Sequence, residues 1–149
     1  MTSEVVVRVS VSGDDAAMTD LAALADAMPF TRHVGIELLE AGPDEVRARL
    51  AWAPERCTAG GVMHGAALFA LADTAGALVA FLNLPDGAAG TTTISSSVHF
   101  MRGLTTGHAT AVTTALHRGR TTIVAQTDLL DHDGRLLGRV TQTQAVLGA

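Results

Sequence analysis

The stretch Gly60-Gly-Val-Met-His64-Gly65-Ala-Ala-Leu-Phe-Ala-Leu-Ala-Asp73-Thr-Ala-Gly-Ala-Leu-Val-Ala-Phe-Leu82 reads as a glycine-rich turn feeding an apolar helix that carries one carboxylate, Asp73. An ionised carboxylate on an apolar helix is costly unless it is solvated, paired or used. Sorted by the helical period, the segment separates into two faces. Leu68, Leu71, Ala75, Leu78 and Leu82 form a bulky stripe suited to packing on a sheet. Ala66, Phe69, Ala70, Asp73, Gly76, Ala77 and Ala80 form the other, and most of these are small. That second face is expected to meet a partner subunit, a ligand, or both.

The turn before the helix carries a second chemical feature. Gly60-Gly61 and His64-Gly65 flank a helix start, where backbone N–H groups lack intrahelical acceptors and the helix dipole favours negative charge. Such amides hold a phosphate or the oxyanion of acyl transfer. Asp73 lies eight residues beyond Gly65, about 12 Å along one helix axis at ~1.5 Å per residue. An oxyanion donor and a base or nucleophile must both reach one carbonyl within about 3 Å. One straight helix cannot do this alone. An antiparallel copy related by a two-fold axis can, with Gly65 of one subunit meeting Asp73 of the other.

Gly61-Val-Met-His64-Gly65 through Asp73 resembles the His-Gly-Gly…Asp signature of hotdog-fold acyl-CoA thioesterases of the phenylacetate-degradation (PaaI-like) type. The flanking order is similar too: Pro29-Phe30 through His33-Val-Gly35-Ile36 upstream, Val98-His-Phe100-Met-Arg102 downstream, then His117-Arg-Gly-Arg120. The second Gly of the signature is Ala66 here, and the Asn or Gln that usually precedes it falls at Thr58. The resemblance implies an α+β domain in which an antiparallel sheet wraps one long central helix. It also implies roles. The Gly65 amide polarises the thioester carbonyl beside His64, and Asp73 of the partner subunit acts as nucleophile or general base. Thr58 and Thr93 orient water or substrate, while Ser95 and Phe69 border the acyl group. Arg102, His117, Arg118 and Arg120 pair with the phosphates of coenzyme A, a task suited to Arg.

The remaining chain is read as follows. Residues 1–27 form an N-terminal extension in which 4–12 alternate as a strand or extend as a mobile arm, and Ala16–Ala27 suits a helix ended by Pro29. In the domain spanning 28–149, strands are expected at Val34–Ala41, Glu45–Trp52, Thr91–Met101, Ala109–His117, Thr122–Asp131 and Leu136–Leu147. Asp131-His-Asp-Gly134 has metal-like residues, but a hairpin turn accounts for it.

Composition excludes several classes. The chain has 149 residues, 48% of them apolar and 17% charged, with a formal charge of −5, as expected of one soluble domain and not of a nucleic-acid binder. No Lys is present, so Arg supplies every fixed positive side chain. A single Cys and an opening without a basic-then-apolar leader fit a reducing cytoplasm. Ala66–Leu84 approaches spanning length, yet Asp73 near its centre and the lack of flanking anchors argue against a membrane. No zinc, Walker, dinucleotide or nucleophile-elbow motif occurs. The expected protein is thus a cytoplasmic acyl-CoA thioesterase, dimeric or tetrameric, that needs no metal and no cofactor beyond the coenzyme A of its substrate. Two alternatives stay open: a hotdog hydratase or dehydratase, and a non-catalytic acyl-CoA binding module.

Overall fold

The computed structural model describes residues 20–148. Two short helices, α1 (Leu21–Asp26) and α2 (Pro29–Val34), precede strands β1 (Ile36–Ala41) and β2 (Val46–Ala51). The long helix α3 (Gly65–Phe81) follows, then β3 (Gly90–Phe100), β4 (His108–Arg118), β5 (Thr122–Leu130) and β6 (Leu136–Leu147). All strand pairs are antiparallel, in the order β1-β2-β4-β5-β6-β3. One six-stranded sheet around one central helix is the hotdog architecture.

Alternation explains the packing. On β4 and β5, every second residue (Ala109, Ala111, Thr113; Ile123, Ala125, Thr127, Leu129) is buried, and α3 packs against both strands. The alanines keep the sheet surface low, so the helix sits close with Leu68, Leu71, Ala75 and Leu78 buried. On these two strands Thr113 and Thr127 are polar members of this layer, and their hydroxyls satisfy each other at 2.8 Å.

Three expectations are corrected. The helix expected over Ala16–Ala27 begins at Leu21, because the Asp20 carboxylate accepts the Ala23 N–H at 3.0 Å and caps the start. The strand or arm read at 4–12 lies outside the described residues. Pro29 opens a helix of its own at the first helical position, where its missing N–H has no bond to lose. Val34 belongs to that helix, and β1 starts only after Gly35, whose φ of +86° ends α2. The Arg56 guanidinium occupies the space a Cβ on Gly35 would need and donates to the Val34 carbonyl at 2.8 Å.

The β5–β6 hairpin turns at Asp131–Gly134. The Asp131 carboxylate accepts the Arg135 N–H at 2.8 Å and the Asp133 N–H at 2.9 Å, the former chiefly holding its carboxyl below the usual carboxylate range. Among the described residues, no helix is long and apolar enough to cross a membrane.

Candidate active site

The turn into α3 is pinned on several sides. His64 N–H donates to the Arg56 carbonyl at 2.8 Å, Met63 N–H to Leu104 at 2.8 Å, and Thr58 N–H to Val62 at 2.8 Å. Gly60 and Gly61 take φ of +80° and +74°, conformations that side chains rarely adopt, and the Trp52 indole donates to the Gly61 carbonyl at 3.0 Å. His64 caps α3: its Nδ1 accepts the Ala66 N–H at 2.9 Å, which places a neutral ring's proton on Nε2. Its carbonyl accepts the Ala67 and Leu68 N–H groups. The Gly65 N–H is left without an acceptor among the described residues.

Gly65 lines a cavity of about 340 Å³. Val62, Gly65 and Leu68 line it on the helix side, and Phe100, Met101 and Arg102 on the side where β3 ends. Contact is tight at the glycine, since a Cβ on Gly65 would lie 2.9 Å from the Phe100 ring. Most of its walls are apolar side chains, with Arg102 as the charged one and the glycine that opens the helix between them.

Asp73 stands two turns along the same helix, half-buried, with its Oδ1 turned toward β3 and β6. The Thr93 hydroxyl lies 3.4 Å from Oδ1 and the Gln142 Nε2 3.3 Å from it. Gln144 Nε2 donates to Thr93 Oγ1 at 2.7 Å, and the Thr91 hydroxyl faces both the Ala145 carbonyl at 3.0 Å and Gln144 Oε1 at 3.2 Å. Oδ2 takes no hydrogen bond among the described residues. β3 is an edge strand of the sheet, and its residues 93–97 are exposed. The neighbouring stripe of α3 (Ala66, Phe69, Ala70, Asp73 and Ala77) is the part of the helix the chain leaves least covered.

The model of the thioesterase superfamily matches residues 60–137, which span the turn, α3 and the strands through the start of β6. The chain belongs to the thioesterase superfamily. The proofreading thioesterase EntH of Cronobacter turicensis is 32% identical over 120 residues, covering 80% of this chain and 86% of that protein. Among solved structures, a thioesterase of Haemophilus influenzae superposes with a TM-score of 0.80 at 26% identity, covering 91% of this chain and 93% of the other. A mutant of the phenylacetic acid degradation protein PaaI of Thermus thermophilus gives 0.73 at 25% identity, over 80% and 99%. The protein is a thioester hydrolase, and its resemblance to the PaaI-like group holds in structure as in motif.

Within this superfamily member, the residues singled out from sequence fall into three places. Gly65, His64 and Arg102 gather at the start of α3, with Thr58 exposed in the turn before it. Asp73, Thr93 and Phe69 lie farther along the helix and beside it. His117, Arg118 and Arg120 lie at the opposite end: Arg118 donates to the Asn83 side chain at 2.6 Å and to the Pro43 carbonyl at 3.2 Å, just past the end of α3. One protomer therefore separates Arg102 from the other three expected phosphate contacts by the length of α3, about 25 Å at ~1.5 Å per residue.

Ser95 does not share the face of Thr93. The β3–β6 register shifts between Thr93 and Ser95, so Ser95 pairs with Thr143 and Ser96 pairs with Gln142. Paired residues share a face. Gln142 is buried against the helix, which puts Ser96 on that face and Ser95 on the other. Gly76 and Ala80 are also buried rather than offered outward. The sequence reading passed over Gln142 and Gln144 altogether. Their signal was present, because strand alternation aligns them with the apolar Val140 and so directs two amides into the core.

Proposed function

We propose that this thioester hydrolase is a cytoplasmic acyl-CoA thioesterase that works as a homodimer or a pair of dimers, with each site assembled from two protomers. The observation that carries this reading is the separation of the free Gly65 amide from Asp73 along a single helix, with Asp73 on the least covered stripe beside the open edge strand β3. An antiparallel copy docking on that edge brings Asp73 of the partner subunit to the cavity at Gly65. The thioester carbonyl oxygen then rests on the Gly65 N–H at the positive end of the helix, where developing negative charge is stabilised.

The unengaged Oδ2 of Asp73 either attacks the carbonyl carbon or takes a proton from the attacking water. In the first route the Oδ2–C bond forms as the C–S bond breaks, and water then cleaves the resulting mixed anhydride to the free acid and restores the carboxylate. In the second, water adds to the carbonyl carbon as Asp73 takes its proton and the C–S bond breaks. In both the sulfur leaves as the coenzyme A thiol, protonated by the proton that water gives up. The same two-fold arrangement turns the far end of the partner helix toward Arg102. This supports a phosphate site shared between Arg102 and the partner subunit's His117, Arg118 and Arg120. Walls of Val62, Leu68, Phe100 and Met101 around about 340 Å³ suit an aryl or medium-chain acyl group. No cofactor is required beyond the coenzyme A of the substrate.

Release of free thiol from a panel of aryl- and alkyl-CoA thioesters tests the substrate class. Turnover of panel members is expected, with the same acyl groups on a carrier-protein pantetheine turned over more slowly. Faster turnover of the carrier-protein thioesters would contradict the coenzyme A assignment.

A further inference from the structure

We propose that Gln142 and Gln144 of β6 are positioning residues that fix the Asp73 carboxylate, and that Gly76 is the socket in α3 that admits the Gln142 amide. The inference rests on the reading of Asp73 as the reacting carboxylate.

Gln142 and Gln144 are 1% and 0% exposed, in a mostly aliphatic layer where Thr113 and Thr127 satisfy each other. Burying two amides is unfavourable unless their hydrogen bonds are made. Here the donors run in one direction. Thr91 Oγ1 lies 3.0 Å from the Ala145 carbonyl and 3.2 Å from Gln144 Oε1, one proton facing two acceptors, and on its other side the amide presents Gln144 Nε2, which donates to Thr93 Oγ1 at 2.7 Å. A hydroxyl that accepts there has its single proton free, and Thr93 presents it to Asp73 Oδ1 at 3.4 Å. Gln142 Nε2 reaches the same oxygen at 3.3 Å. Two donors on Oδ1 fix the carboxylate plane and leave Oδ2 as the oxygen without a partner among the described residues. Both contacts are long, as catalytic hydrogen bonds often are before substrate binds.

Two observations separate this role from packing. Gln142 Oε1 is buried without a partner, so an apolar side chain of equal volume would remove an unsatisfied acceptor. Keeping an amide at that site points to a task for its N–H. Gly76, three residues after Asp73 and on the same side of α3, has no room for a side chain, because a Cβ would fall on the Gln142 amide. Glycine within a helix is otherwise unfavourable.

Gln142→Met keeps the volume and removes the donor. Measured on the most rapidly hydrolysed CoA thioester, its kcat is expected to fall about 10- to 100-fold with KM changed less than about twofold and Tm not lowered. Gly76→Ala is expected to lower kcat similarly, by displacing the amide. In a Gln142→Ala background nothing remains to displace, so adding Gly76→Ala should cost no further activity. A wild-type kcat in Gln142→Met, a fall in kcat that only follows a fall in Tm, or fully multiplicative losses in the double variant would each overturn the proposal. Asp73→Asn is assayed alongside: if it is inactive while Gln142→Met is normal, only the positioning role fails. Full turnover by Asp73→Asn would instead remove the reading beneath it.

Discussion

Replacing Asp73 by Asn is expected to lower kcat by about 10²- to 10⁴-fold, the range carried by a positioned base or nucleophile. The substitution is nearly isosteric. Its amide oxygen can still accept from Thr93 and Gln142, which lie 3.4 and 3.3 Å from Oδ1 in the wild type, so the surrounding ladder keeps its partners. What is lost is the second oxygen, the one free to attack or to take a proton. Because Asp73 is only half-buried, the neutral variant leaves no uncompensated charge in the core, and its Tm should stay close to wild type. Steady-state kinetics with thermal unfolding as the control checks both statements. Unchanged turnover would remove Asp73 from the chemistry.

The second large effect is expected at a backbone atom. Gly65 is the first residue of α3, and His64 before it is extended at φ −64° and ψ +137°. Proline is well tolerated at a helix's first position and favours an extended residue before it. Gly65→Pro therefore deletes the N–H while leaving the helix start intact. A lost oxyanion donor lowers kcat by about 10²- to 10³-fold. The Cβ that proline adds would press on the Phe100 ring at 2.9 Å, so Gly65→Ala, which adds the same carbon and keeps the N–H, is the control. Phe100 is 48% exposed and its ring has room to yield, so the alanine variant should lose less than about tenfold. Equal losses in the two variants would assign the effect to crowding and not to the amide.

Much of this molecule was legible because it is governed by local periodicity. The Leu68, Leu71, Ala75, Leu78 stripe follows a helical period, and the alternation along β4 and β5 follows a strand period, so element type and inward face could be read directly. What escaped depends on contacts distant in sequence. Gly76 looked like part of a face offered outward, and only the arrival of Gln142 from β6 shows why it is buried and small. Ser95 and Thr93, both read as substrate contacts, are two apart and would share a face in a regular strand, but the register shift near Ile94 puts Ser96 in that place. Such a bulge leaves little mark in a run of Thr and Ser. Arg118 was read only as a phosphate contact, and nothing local shows that it also donates to Asn83 and the Pro43 carbonyl, 35 and 75 residues away in the chain. Pro29 carries two readings, a stop or a start, and the first-turn geometry of α2 decided between them.

The central claim is that the amide and the carboxylate of one site come from different protomers. It is tested most directly by mixing two impaired variants, Asp73→Asn and Gly65→Pro, by co-expression or by joint unfolding and refolding. If each site takes Gly65 from one subunit and Asp73 from the other, every mixed dimer holds one doubly impaired site and one intact site. Half the dimers in an equal mixture are mixed, so about one quarter of wild-type activity should return. If instead both groups act within a single protomer, no intact site can form. Activity of the mixture would then remain at the average of the two parents, and that result would contradict the account.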